Sequence, residues 1–286
     1  MKKTFIISLC CAAFTLGAGA QRIAVLSDLH VIPGNENDRQ LRLAVEEINH
    51  GEFDYVVVNG DISNEGSDEQ LLNVKEILDG ISKPLAVLPG NHENNWSQSA
   101  TKTFKDTWGN DRFIATAGPD SLVIVGINCG PYMKMGDGHI KREDLHWLRA
   151  ELQKAADKGR RVLSFNHYPL QENDLDNWRE YVQLLQQYPV IGHINGHYHS
   201  WQAYRAGGIP AVMTRALPDR VLVADVGVFM CCGESQHRHR VVAYALVVDV
   251  HPVGRHFYYG VAECAVAHVE SPCHHRRNTP GPVGLP

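Results

Sequence analysis

Five apolar runs in this chain each break off, within a residue or two, at a side chain that can bind a cation. "RIAVLSD" ends at Asp28, "DYVVVNGD" at Asp61, "PLAVLPGNHE" carries Asn91 and His92, "RVLSFNHYPL" carries His167, and "PVIGHINGHYHS" carries His197 and His199. Short, nearly continuous apolar runs bounded by Gly and Pro read as strands buried on both faces. "SLVIVGIN" (121–128) is a further strand of the same kind. Amphipathic stretches separate them. "NDRQLRLAVEEINHG" sets Leu41, Val45 and Ile48 at helical spacing, with Asn37 as the expected N-cap and Gly51 as the stop. "SDEQLLNVKEILDG" offers Ser67 and Gln70 as a capping box and Gly80 as terminator. "KREDLHWLRAELQKAADKG" (141–159) lines Leu145, Leu148 and Leu152 along one side. Strands alternating with helices predict an α/β fold with a largely buried sheet. In such folds functional groups gather at the C-terminal ends of the strands, which is where Asp28, Asp61, Asn91, His167 and His197 are expected.

His197 and His199 stand one residue apart, so in extended chain both point to the same face. Two imidazoles side by side suggest a metal, whose remaining ligands must come from other segments. With 286 residues, 44% of them hydrophobic, the chain can bury a large core. Its charge, 27 basic against 32 acidic residues for a net of −5, is spread without a basic stripe. That argues against nucleic acid as a standing partner and for a small substrate.

Taken in order, Asp28-Leu29-His30, Gly60-Asp61, Gly90-Asn91-His92-Glu93, His167 and Gly196-His197-Tyr198-His199 resemble the D-x-H, G-D, G-N-H-[DE], H and G-H-x-H motifs of the calcineurin-like metallophosphoesterases. The resemblance covers roughly residues 22–217. It implies a four-layer αββα sandwich with two mixed sheets and two divalent metal ions (Mn, Fe, Zn, Co or Ni) at one edge. Carried over position by position, Asp28, His30 and His199 would hold the first metal and Asn91, His167 and His197 the second, with Asp61 as the bridge. The implied reaction is hydrolysis of a small phosphorylated substrate by a metal-bridging hydroxide. His92 would be the general acid that protonates the leaving group, and Glu93 would support it, serve a hydrogen bond behind the ligands, or be a solvated loop residue. Two other readings stay open: a non-catalytic metal- or phosphate-binding protein, and a metal hydrolase acting on a non-phosphate ester.

Departures from the motifs narrow the group. "GDISNEG" lacks the Asp-Arg-Gly continuation of the family's protein serine/threonine phosphatases, and Asn64 stands where purple acid phosphatases place a metal-binding tyrosine. What remains is the compact group of cyclic-nucleotide phosphodiesterases and general phosphoesterases. Trp96, Tyr168, Tyr198 and Trp201 flank the motif residues, as stacking surfaces for a substrate or as packing around the site. Lys134 and Lys141 are candidate phosphate contacts, with solvated charge as the default. His50, His139, His146 and His193 match no motif and are expected to be structural.

The termini differ from this middle. "MKK", the apolar "TFIISLCCAAFTLG" and "AGA" before Gln21 read as a secretory signal over residues 1–20. The expectation is an exported protein, periplasmic or secreted, with no membrane span once the signal is removed. Five cysteines would then remain, an odd count that leaves at least one unpaired. After Leu217 the composition shifts, and residues 218–286 contain neither Lys nor Ile. This tail reads as a closing β-hairpin over 241–266, turning at Pro252-Val253-Gly254 and followed by disorder, or as out-of-frame sequence. A metal-binding tail through His237, His239, His274 and His275 is the weakest reading, because no ligand spacing repeats.

Overall fold

The computed structural model describes residues 21–217, apart from 98, 100, 119–121 and 131–135, and the backbone course of three later strands at 222–234, 240–252 and 263–267. The leader over 1–20 and the tail histidines lie outside the described residues. Chain order is β1 (Arg22–Leu26), α1 (Glu36–His50), β2 (Tyr55–Asn59), α2 (Asp68–Leu78), β3 (Leu85–Leu88), α3 (Lys102–Trp108), β4 (Arg112–Ala117), β5 (Leu122–Ile127), α4 (Arg142–Asp157), β6 (Val162–Phe165), α5 (Trp178–Leu185), β7 (Val190–Asn195), β8 (Gln202–Ala206), β9 (Ile209–Met213), β10 (Leu222–Glu234), β11 (Arg240–Pro252) and β12 (Glu263–Ala267). A single π-helical turn, His92–Trp96, follows β3.

The strands form two six-stranded sheets, ordered β12-β11-β10-β1-β2-β3 and β4-β5-β6-β7-β9-β8. β1, β2 and β3 pair in parallel, as do β5, β6, β7 and β9, while β10 runs antiparallel to β1. Alternation along each strand divides its side chains between two layers. Ala24, Leu26, Val56 and Val58 face α1 and α2, and with Leu41, Val45, Leu71 and Val74 they form one core. Val123, Val125 and Val162 face α4 and α5, packing with Leu145, Leu148, Leu152 and Tyr181. The opposite faces, among them Ile23, Val25, Val57, Ile124, Leu163, Phe165 and Ile194, meet between the sheets in a third core. Three cores between four layers make the αββα sandwich.

Helix ends differ in detail from their expected caps. The N-cap of α1 is Asn35, whose side chain accepts from Asp38 N, and Gly51 closes the helix as expected. Asn37 lies inside the first turn and donates from Nδ2 to the carbonyls of Leu29 and His30. Ser67 does cap α2, accepting from Gln70 N, but the Gln70 side chain turns away to Glu65, so the reciprocal half of the capping box is missing. β11 and β12 pair antiparallel, with Val242 opposite Ala267 and Leu246 opposite Glu263, and the segment between them lies outside the described residues. β10, which joins that pair to β1, was not anticipated.

Candidate metal centre

The five motif segments leave their strands at one edge of the sandwich. Asp28, Asp61, His167 and His197 each lie two residues past the ends of β1, β2, β6 and β7, and Asn91 lies three past β3. The first two loops run side by side: Asp28 N donates to Gly60 O at 3.0 Å, His30 N to Asp61 O at 2.9 Å and Val31 N to Ile62 O at 3.2 Å. The backbone is strained where it delivers these side chains. Among the described residues six non-glycines have positive φ, and five of them are Asp28, His30, Asp61, His197 and His199, with φ of 52°, 45°, 49°, 83° and 54°. Such left-handed conformations cost about 1–3 kcal/mol each and persist where surrounding structure over-determines them. Close approach explains two glycines. A Cβ on Gly60, itself at φ 89°, would overlap the His167 ring, and one on Gly90 would overlap Asp61 Oδ1 and its backbone nitrogen.

Each potential ligand is aimed by a further contact. The buried Asp28 carboxylate accepts from Ser27 Oγ at 2.5 Å and from His197 N at 3.0 and 3.1 Å. Asp61 Oδ1 accepts from His92 N at 3.0 Å, which leaves Oδ2 facing inward, 3.2 Å from His167 Nε2. His167 Nδ1 donates to Asn59 O at 2.9 Å, and that fixes Nε2 as the ring atom facing the site. Asn91 Oδ1 lies 3.2 Å from His167 Nε2 and 3.0 Å from His197 Nδ1. On the other side, His30 Nε2 and His199 Nε2 approach to 2.9 Å, and Asp28 Oδ1 is 3.5 Å from His199 Nε2.

The result is overlapping clusters of donor atoms, Asp28/His30/His199 and Asp61/His167/His197, with His30, Asp61 and His92 forming a third between them. Their chemistry fits divalent cations. The neutral His167 tautomer, the Asn91 amide oxygen and the Asp61 carboxylate all present lone pairs to one another, an arrangement stable only around positive charge. A proton on His167 answers the same demand. Burial pushes His167 down, but Asp61 and Asp28 outweigh it and lift the imidazole to about 10. Asp61 is pushed up by burial yet held below the ordinary carboxylate range by His167 and His92. Burial and the neighbouring Asp61 charge raise Asp28. His30 and His197 are driven down to about 4, chiefly by burial, which keeps them neutral and free to coordinate. The mixed N/O set, without thiolate, suits Mn, Fe, Zn, Co or Ni.

A model of the calcineurin-like phosphoesterase domain matches residues 21–201. The chain belongs to the calcineurin-like phosphoesterase family. Among curated relatives it is 27% identical, over 186 residues, to a probable glycerophosphodiester phosphodiesterase of Arcobacter nitrofigilis, a match spanning 60% of this chain and 66% of that one. It is 23% identical, over 70% of its own length and 77% of the relative's, to a 3′,5′-cyclic adenosine monophosphate phosphodiesterase of Vibrio vulnificus. A dimetal phosphatase from Danio rerio shares its fold with a TM-score of 0.58 at 17% identity, covering 84% of this chain and 98% of that one.

Around the phosphoesterase site, several residues take places not expected of them. Glu93 neither supports His92 nor meets solvent: fully buried, it accepts from Ser63 N, Ser63 Oγ and Gly90 N, bracing one motif loop against another. Lys141 lies 3.9 Å from Asp111, and Lys134 is outside the described residues. Tyr168 is buried with its ring 4.3 Å from that of His197, whereas Tyr198 and Trp96 are exposed. His193 is structural as expected, held between Ser164 Oγ and Asn166 Oδ1. Cys129 is a free, buried thiol whose sulfur accepts from Tyr168 N, and burial pushes it up to about 12.

A set of buried asparagines went unread. Asn59, Asn128, Asn166 and Asn195 stand at or just past the ends of β2, β5, β6 and β7. Asn59 Nδ2 donates across the sheet interface to Asn166 O and Ile194 O, and Asn128 joins Asn94 and Asp111. The signal was present as an Asn closing run after run, "VVVNG", "GINCG", "SFNHY" and "HINGH".

Proposed function

We propose that this phosphoesterase is a dinuclear-metal-dependent hydrolase of small phosphate esters, with diesters as its preferred class. The observation that carries the reading is the convergence of Asp61, Asn91, His167 and His197 on one side and Asp28, His30 and His199 on the other, with Asp61 shared between them. Asp28, His30 and His199 would hold one cation, Asn91, His167 and His197 the second, and Asp61 would contact both. Bound cations would supply Lewis acidity toward the phosphoryl oxygens. Among the described residues only histidines pair with Asp28 and Asp61, so no Lys or Arg neutralises these carboxylates.

His92 supplies the proton for the departing oxygen. Its Nδ1 is engaged by Asn64 O, which leaves Nε2, 3.8 Å from Asp61 Oδ2, as the atom directed at the reacting group. The diester preference is drawn from the relatives named for glycerophosphodiester and cyclic-nucleotide cleavage. Export is part of the proposal, resting on residues 1–20, and fractionation of expressing cells tests it: full-length protein retained in the cytoplasm refutes it.

The deciding assay strips the protein of metal, restores Mn, Fe, Zn, Co or Ni in turn, and compares p-nitrophenyl phosphate with bis-p-nitrophenyl phosphate, using Asp61→Ala as the blank. Metal-restored turnover, faster on the diester, is expected. A folded, metal-loaded protein that cleaves neither would be a binding protein. Cleavage of carboxylic esters alone would make it a hydrolase of another class.

A further inference from the structure

We infer that Trp96 is a positioning residue for proton delivery, acting through His92. The inference rests on the general-acid reading of His92. The Trp96 ring stacks on the His92 imidazole with centroids 4.4 Å apart and planes inclined by 18°. Yet Trp96 is 59% exposed, so burial in a core does not account for its placement. His92 and Trp96 open and close one π-helical turn, His92–Trp96, an irregularity that recurs at functional sites. The imidazole is thereby limited on three sides: Asn64 O holds Nδ1, the edge of His30 meets the ring at 4.6 Å, and Trp96 covers a face.

An imidazole held at Nδ1 alone can still swing about that hydrogen bond. Each orientation lost to swinging takes Nε2 off the line to the leaving oxygen, and proton transfer demands hydrogen-bond geometry. The indole face removes that freedom.

If Trp96 acts through His92, it matters only where the leaving group needs a proton. The test compares two diesters of the same shape, one expelling p-nitrophenolate, which leaves unaided, and the other unsubstituted phenolate, which does not. Trp96→Leu keeps apolar bulk without a ring and Trp96→Phe restores a ring. Both are assayed with metal content measured, alone and combined with His92→Ala. The expected result is a kcat loss of about tenfold or more on the phenyl ester and under about threefold on the p-nitrophenyl ester, from the ~10²–10⁴ that general acids contribute. Trp96→Phe recovers most of it, and no further loss appears in the His92→Ala background. An equal loss on both esters, a loss that persists without His92, or no loss at all overturns the assignment. If His92→Ala itself is silent on the phenyl ester, the general-acid reading falls, and this inference with it.

Discussion

At the scale of single residues, Asp28 is aimed by Ser27, Asp61 by the His92 backbone and His167 by the Asn59 carbonyl. His92 is the sharpest test. His92→Ala should lower turnover of unactivated esters by about 10²–10⁴ while leaving bound metal unchanged by elemental analysis. Glu93 tests the bracing. Glu93→Ala leaves Ser63 N and Gly90 N buried without an acceptor, and should cost about 2–4 kcal/mol in urea unfolding. The potential ligands were readable in the sequence because each combined an unusual residue type with a fixed place after an apolar run. Glu93 was legible only as one of several roles, since a carboxylate in a Gly-Asn-His turn looks the same on paper whether it faces water or two backbone amides. The four asparagines escaped for a related reason: Asn at the end of an apolar run, followed directly by Gly at Asn59 and Asn195, is the ordinary mark of a turn, and only burial reveals their bonding role.

At the scale of elements, the strands that carry the site and the helices α1, α2 and α4 were legible from their apolar periodicity. α3, β4, α5, β8 and β9 were not, because they are short and their burial is decided by neighbours distant in sequence. In the tail, composition drew attention to the loss of Lys and Ile and away from β10, a thirteen-residue run that pairs with β1. Asn59 tests the connection between elements. Asn59→Leu leaves the carbonyls of Asn166 and Ile194 short of a donor at the junction of the two sheets. It should destabilise the fold by about 1–3 kcal/mol and weaken metal retention, both measurable by thermal unfolding with and without chelator.

For the molecule as a whole, acid sensitivity follows from His193. Burial holds this imidazole down at about 3, against an ordinary value of 6.5. The unfolded chain takes up the proton below about pH 6.5, and the folded chain refuses it until about pH 3. Its contribution is therefore intact above that window and lost as the pH falls through it, with a slope approaching about 1.4 kcal/mol per pH unit. Urea midpoints at pH 7.5 and pH 5 should separate less in His193→Gln than in the parent chain.

Each half of the site draws on both sheets. Asp28, His30, Asp61 and Asn91 follow strands of the first, and His167, His197 and His199 follow β6 and β7 of the second. Ile23, Val57, Leu163 and Ile194 fill the gap between those sheets, so their bulk sets the opening of a calliper whose jaws are the potential ligands. Trimming a methyl group there, well away from any ligand, would register first as a change in grip on the ion. Which cation the protein prefers would then be decided in part by residues that never touch it.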